Sequence, residues 1–490
     1  MESKLSLLYS YFYINNLSLF DVLYRMKKRK SPEVLLWLVA IGFFMQTLDT
    51  TIVNTALPSM AESLGESPLK MQSVVVSYAL IMAVLTPASG WLADRFGTRR
   101  IYLLSIILFI LGSFLCANSS NLTQLIASRI IQGIGGSMLQ PVGRLSVLKA
   151  FPHEKFLRAM SFVTIPGLIG PLVGPTLGGW LSESFSWHWI FLINLPIGVI
   201  AFIFSTIYMD DFRPPKIHRF DLSGFLMIAF GMVTISYALD GVVELGLRQA
   251  FALVLIIVGV ISLVSYWLYA SRKKYPLFPL DLFNIDTYRV GMLGNFFARL
   301  SISGSPFLLP LFFQIGLGYS PLKSGLMMLP VAISGIMIKR PGVALINKIG
   351  YRKTLIGNTI IIGVILSMFC FLSESMPFWI LLIQLFFMGG ANSLQFTAMN
   401  TLTLKDLPEG KTSSGNSLMS MVMIFTMSLG VAVSAALLAL FNSVSDTQQA
   451  NHHLFPFQAS FVCLGVIAIV TSFIFAQLPK DGSLLPERIK

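Results

Sequence analysis

Long apolar runs follow one another along almost the whole chain, separated by short polar turns. A helix needs about 20 mainly apolar residues to cross a hydrocarbon core about 30 Å thick. Runs of that kind lie near 34–57, 71–92, 101–119, 122–147, 159–181, 189–208, 222–240 and 249–270. Six more lie near 290–314, 324–340, 354–372, 378–403, 413–440 and 456–478. Every backbone polar group has to be paired within lipid, and barrel strands would show short alternating segments instead, so the runs predict helices. The expected fold is an all-α membrane protein of 14 transmembrane helices.

The placement of basic residues orients this array. With the N-terminus in the cytoplasm, 29 of the 35 Lys and Arg fall in inner loops and termini. Lys70, Arg248 and Lys323 fall outside, and Arg129, Arg144 and Arg299 lie within runs. An even number of spans puts both termini in the cytoplasm. The basic cluster Arg25–Lys30 precedes the first run, and the tract before it is too interrupted to span; Met26 is the expected start of translation. No cleavable signal is evident.

Composition agrees with lipid as the solvent: 55% of the 490 residues are hydrophobic and 12% charged, against roughly 25% charged in soluble domains. The net charge of +13 does not mark a nucleic-acid binder, since the cations sit in turns rather than along one face. Cys116, Cys370 and Cys463 lie far apart and match no metal or disulfide spacing. Without a Walker loop, ATP is not expected to supply the energy.

The chain repeats itself. The turn Gly90-Trp91-Leu92-Ala93-Asp94-Arg95-Phe96-Gly97-Thr98-Arg99-Arg100 aligns with Val343–Lys353 at an offset of 253 residues. Lys348, Gly350, Arg352 and Lys353 then match Arg95, Gly97, Arg99 and Arg100, whereas Asn347 stands where Asp94 does. Two six-span halves with an inserted pair follow. The expected divisions are an N-terminal extension 1–31, a first half 32–208, a linker pair 209–270, a second half 271–478 and a tail 479–490. Two halves of one orientation with a ligand site between them is a transporter architecture.

The stretch Leu48–Pro58, the turn Gly90–Arg100, the segment Arg129-Ile130-Ile131-Gln132-Gly133 and the stretch Gly170–Gly179 together resemble the major facilitator superfamily, in particular its fourteen-span drug:proton antiporter branch. The resemblance implies a proton-coupled exporter of small molecules in a bacterial inner membrane, putting multidrug efflux first and leaving substrate identity open. An exporter of organic anions or metal chelates is the alternative, and a transporter-like sensor a distant one. No enzymatic activity, cofactor, metal or nucleic acid is expected; the expected partners are a small-molecule substrate, protons and the bilayer, with a monomer as the working unit.

Asp49 is the one carboxylate deep within a run, and a charge there costs at least about 2.5–3.5 kcal/mol. It reads as a proton-coupling group or as half of a structural ion pair. Counting 1.5 Å per residue puts Arg129 at the same depth, as partner to Asp49 or as a side chain reaching for headgroups. Arg299, near the midplane of the second half, suits an anionic or zwitterionic substrate, or backbone carbonyls beside Gly304–Pro306. Gln46, Asn54, Gln314, Gln384, Asn392 and Gln395 are candidates for the cavity wall, each equally explained as an interhelical hydrogen bond. Gly170, Gly174 and Gly178 share one helix face, with Pro171 and Pro175 beside it and Gly179 following. The resemblance associates this motif with antiport, and close packing alone explains it too. Gly90, Asp94, Arg95, Gly97 and Arg99 form a candidate gating loop, the copy with Asn347 lacking the anion.

Overall fold

The computed structural model describes residues 32–478 apart from breaks at 152, 214–218, 245–248, 372, 374–376, 409–410 and 448–452. The Met26 start, the N-terminal extension and the tail lie outside the described residues. Those that are described form helices and turns without a strand. In the first half, α1 is Pro32–Leu64, α2 Gln72–Phe96, α3 Thr98–Ala117, α4 Leu122–Ala150 and α5 His153–Ser184; α6 comprises Trp189–Leu192 and Asn194–Tyr208. The inserted pair is α7 (Leu222–Glu244) and α8 (Gln249–Ala270).

In the second half, α9 runs Asp286–Ile302, breaks at Ser303–Gly304, and resumes as Ser305–Leu311 with a wide turn over Phe312–Gly316. Helix α10 is assembled from Pro321–Met327, Leu329–Met337 and Lys339–Ile349, its last piece bent by 50°. Then come α11 (Tyr351–Ser367), α12 (Phe378–Lys405), α13 (Thr412–Thr447) and α14 (Phe455–Phe475). Among the described residues 11 helices are long and apolar enough to cross a membrane, or 12 with bent α10. The other two are α4, diluted by Gln124, Arg129, Gln132, Gln140 and Arg144, and α5, rich in glycine and proline.

The repeat is written into the backbone. Gly97 (φ 98°) and Gly350 (φ 85°) turn the chain at one end of the bundle, and Gly65 (φ 66°) and Gly318 (φ 63°) at the other. Both pairs are 253 residues apart. Each turn needs a left-handed residue, which glycine adopts without a Cβ penalty. The end carrying Gly97 and Gly350 is the basic end, and the opposite one the far end.

The core is distributed unequally between these ends. At the far end one cluster crosses both halves, joining Leu48, Ile52 and Leu57 to Phe307–Phe313, Phe369 and Phe461. Toward the basic end each half has its own cluster, around Tyr102, Phe109 and Leu139 in one and Leu355, Ala398 and Phe475 in the other. Apolar burial at about 25 cal/mol per Å² therefore joins the halves across the far end, and a further cluster bridges them along the seam where α2 and α13 meet the inserted pair.

The inserted pair covers one seam. Ile228 and Met232 of α7 pack with Ala83 and Val84 of α2 and with Leu418–Leu429 of α13, and Ser73 Oγ donates to Asp240 Oδ2 at 2.8 Å. Helix α8 faces outward, with 17% of its apolar stretch buried. The pair is anchored at Asp221, which accepts from Lys273 Nζ (2.7 Å), Tyr269 Oη (2.9 Å) and the backbone N–H of Gly224 (3.0 Å) and Leu277 (2.9 Å). Desolvation pushes this carboxyl up, but those four donors outweigh it and hold it below the ordinary carboxylate range.

Candidate functional site

Five helices of the first half converge on Asp49. Its side chain is 0% exposed and Arg129 is 1% exposed. Arg129 Nη1 donates to Asp49 Oδ2 at 2.7 Å, while Gln132 Nε2 (2.8 Å) and Asn194 Nδ2 (3.2 Å) donate to Oδ1. The guanidinium also reaches Gln132 Oε1 (2.6 Å) and the Val74 carbonyl (3.1 Å). Its flat face lies 4.0 Å from the ring centre of Tyr78 on α2. Ser113 of α3 accepts from Gln132 at 2.8 Å and closes the network.

A buried ion pair tolerates desolvation only when its remaining donors and acceptors are also satisfied, and removing one partner costs about 3–5 kcal/mol. Gln132 follows Arg129 by one helical turn, within a segment the sequence reading quoted but did not assign. Asn194, Ser113, Val74 and Tyr78 carried no such signal. A neutral amide in an apolar run looks the same whether it faces a charge or a neighbouring helix.

In the second half Arg299 meets side-chain amides instead of the backbone carbonyls beside Gly304. Its Nε donates to Asn295 Oδ1 (3.2 Å), its Nη2 to Asn400 Oδ1 (3.5 Å), and it lies 4.7 Å from the centre of the Phe396 ring. Lys339 of α10 approaches the same ring at 5.8 Å and donates to Thr397 Oγ1 at 3.2 Å. Asn392, Phe396 and Asn400 follow at i, i+4 and i+8, so they share the α12 face that Arg299 touches.

The other cavity candidates separate. Gln46 and Asn54 are buried on α1, with Gln46 Nε2 donating to Met82 Sδ at 3.3 Å. Gln384 and Gln395 lie elsewhere, against α11: Gln384 donates to the Ile365 carbonyl (3.0 Å), and Gln395 donates to Thr359 Oγ1 (2.7 Å) while accepting from Asn358 (2.8 Å). Gln314 reaches across the halves and donates to the Thr55 carbonyl at 2.9 Å.

Helix α5 has two working faces. A Cβ added at Gly170, Gly174 or Gly178 would lie 2.2–2.4 Å from Thr47, Thr51 or Ile52, so this stripe seats α1. Pro171 is exposed beside it. Gly179 and Pro175 face α10: Cβ atoms at Gly179 and Gly325 would lie 2.2 Å from the Pro321 carbonyl oxygen and 2.4 Å from that of Pro175. Thr176 Oγ1 donates to the Gly325 carbonyl at 3.2 Å, and Leu322 N–H to Glu183 Oε2 at 2.8 Å. With Gln314–Thr55 and Ser428 Oγ to the Val76 carbonyl (3.4 Å), these bonds join the halves toward the far end.

The gating-loop candidates turn inward on their own half. Gly97 packs so closely on Asp211 that a Cβ would lie 2.0 Å from Oδ1. Arg99 N–H donates to that oxygen at 3.2 Å, and its guanidinium reaches the Thr206 carbonyl. Arg95 lies over Trp91 at 5.3 Å, Asp94 is half-buried, and Gly90 faces open space.

The chain is 49% identical over 457 residues to the "Putative multidrug resistance protein MdtD" of Serratia proteamaculans, covering 93% of this chain and 95% of the relative. It is 50% identical over 450 residues to the protein of that name from Yersinia enterocolitica, covering 91% and 95%. Among solved structures, the transporter PepTSo of the POT family superposes with a TM-score of 0.66 at 15% identity, covering 91% of this chain and 97% of that one. The human organic anion transporter MFSD10 superposes at 0.60 and 14% identity, covering 91% and 99%. The Major Facilitator Superfamily model matches residues 39–423 and 291–488. With the two-half helical bundle, its backbone repeat and these matches in hand, the chain belongs to the major facilitator superfamily.

Proposed function

We propose that this chain exports small molecules in exchange for protons by alternating access, its basic end and both termini in the cytoplasm of a bacterial cell and its inner membrane crossed by 14 helices. Helices α4 and α5, of membrane-spanning length, complete the count with the twelve apolar ones. The observation that carries the reading is the unequal core: a cluster with many aromatic residues crosses the halves at the far end, whereas toward the basic end each half keeps a cluster of its own and the bridge between them runs along one seam, that of α2, α13 and the inserted pair. In that arrangement the cleft opens to the cytoplasm, and Gly179 on Gly325's helix closes the other side. The multidrug resistance relatives support efflux of small organic compounds. One chain contains both halves and works as a monomer.

Asp49 is the coupling carboxylate in this reading. Its pair with Arg129 persists while the far side is sealed; when that side opens, a proton entering from it neutralises the acid and frees the guanidinium, and the proton leaves to the cytoplasm after the far side has closed again. The test is proton-gradient-driven uptake into inverted vesicles, wild type against Asp49→Asn. Loss of gradient-driven transport with solute exchange retained supports the assignment, and normal transport by the variant removes it.

A second reading concerns the cargo. Arg299 and Lys339 share the Phe396 ring, and they donate to neutral amides and a hydroxyl. Two cations beside one aromatic ring suit an organic anion or a metal chelate with carboxylate groups. Offering anions and lipophilic cations separately in the same vesicles decides between the two.

A further inference from the structure

The 50° bend of α10 leaves a cavity of about 390 Å³ between α10, α11 and α12. Its wall is apolar, built from residues such as Met337, Pro341, Ile361, Phe387, Gly390 and Leu394. At the mouth Met337, Ile361 and Phe387 are 62%, 52% and 62% exposed, whereas Leu394 and Ala391 at the floor are 7% and 8% exposed. The mouth is not the transport cleft. Leu394 and Asn392 are two residues apart, nearly opposite on a helix of 3.6 residues per turn, and Asn392 shares the face that Arg299 touches. The cavity therefore opens on the outer wall, toward lipid. Its one amide, Asn358, spends its donors on the Ala391 carbonyl (2.9 Å) and Gln395 (2.8 Å).

Beneath the cavity lies the turn in which Asn347 replaces the acid of the first-half copy. Residues Asn347–Lys353 contain Lys348, Arg352 and Lys353 and no carboxylate. Lys348 follows Pro341 by two turns on the same face, and Lys353 precedes Asn358 by five residues. At 1.5 Å per residue, both exposed ammonium groups start about 7–11 Å below the groove. Asp406, at the neighbouring end of α12 and outside this turn, accepts from Thr287 Oγ1 at 2.9 Å. An apolar slot above a basic turn without an acid matches a lipid with its chain upward and an anionic head below.

We propose that this groove is a binding site for an anionic phospholipid, one acyl chain lying against the bend of α10 and the phosphate on Lys348 and Lys353. The occupant stands behind the helix whose far half carries Gly325, so it braces the bend from the lipid side. The site is independent of what the cleft carries.

The test uses the full-length chain, stripped of lipid in detergent and titrated by native mass spectrometry with dioleoylphosphatidylglycerol or dioleoylphosphatidylcholine. Wild type should retain the anionic lipid at concentrations about tenfold lower than the zwitterionic one. Gly390→Leu fills the slot without a backbone clash, since an added Cβ meets only Ser334 atoms at 3.9 and 4.0 Å; it should reduce binding of both lipids. Lys348→Gln with Lys353→Gln, both at exposed positions, should abolish the preference and leave phosphatidylcholine binding unchanged. Equal affinity of wild type for both lipids, unchanged phosphatidylglycerol binding by Gly390→Leu, or a preference surviving the double lysine variant would each overturn the proposal.

Discussion

The contact between α5 and α10 is the most exacting feature of the far-end seal, and Gly325→Ala tests it. The new Cβ would sit 2.4 Å from the Pro175 carbonyl oxygen and 2.9 Å from Thr176 Cα. Both obstacles are backbone, so no rotamer change relieves them. Ordinary contact begins near 3.4 Å, and α5 and α10 therefore have to part by about 1 Å, straining the Thr176 Oγ1 bond to the Gly325 carbonyl. Overpacking of this kind costs about 1–3 kcal/mol. The penalty applies only while the far end is closed. At about 1.4 kcal/mol per tenfold, it shifts the balance between closed and open far ends by roughly 5- to 150-fold. The assay is labelling of Thr55→Cys by an impermeant maleimide added from the far side, in a background lacking Cys116, Cys370 and Cys463. Gly357→Ala is the control, because its added Cβ meets nothing within 4 Å. Labelling of the Gly325→Ala variant should rise by at least several-fold over this control. Equal labelling would refute the claim that close approach at Gly325 closes the far end.

Asp49→Asn alone should lower stability by about 3–5 kcal/mol, since it strands the Arg129 charge in a dry site; adding Arg129→Gln should recover most of that loss in a detergent melt without restoring coupled transport. Asp221 titrates below its unfolded value, so its stabilising effect is complete above about pH 3.9 and is lost as pH falls through the lower folded value. The melting temperature of wild type should accordingly fall more steeply than that of Asp221→Asn over that acidic window. Arg299→Ala and Lys339→Ala should each reduce uptake of organic anions into inverted vesicles about tenfold while sparing lipophilic cations, measured side by side.

Most of the bundle was legible because lipid imposes one rule on every span: enough apolar residues to cross, with cations at one end. The run at 189–208 matches α6 closely, and the offset of 253 reappears as the two pairs of positive-φ glycines. Legibility failed where helices meet each other instead of lipid. Helix α1 continues through Pro58 to Leu64, beyond the expected end near 57, because Met60 and Ala61 are buried in the far-end core. Helix α10 breaks twice and bends, which its even run of apolar residues did not announce.

The site was legible by charge and obscure by amide. A buried carboxylate and a buried guanidinium at one depth have few ways to be satisfied, so counting residues along two helices was enough to bring Asp49 and Arg129 together. Gln132, Asn194, Gln384 and Gln395 all sit in apolar runs, yet the first two hold Asp49 and the last two fasten α12 to α11. A neutral amide is satisfied by any neighbour, and only packing decides which one it meets. The repeat sharpens the contrast between the halves. Carried over by the same offset, Asp49, Arg129 and Gln132 fall on Ile302, Leu382 and Leu385. Among its described residues the second half thus packs without an ion pair at those three positions, as buried pairs replaced by apolar residues generally permit. A six-helix half of this fold can thus assemble without such a pair, which supports the coupling role proposed for Asp49 beside the stabilising one.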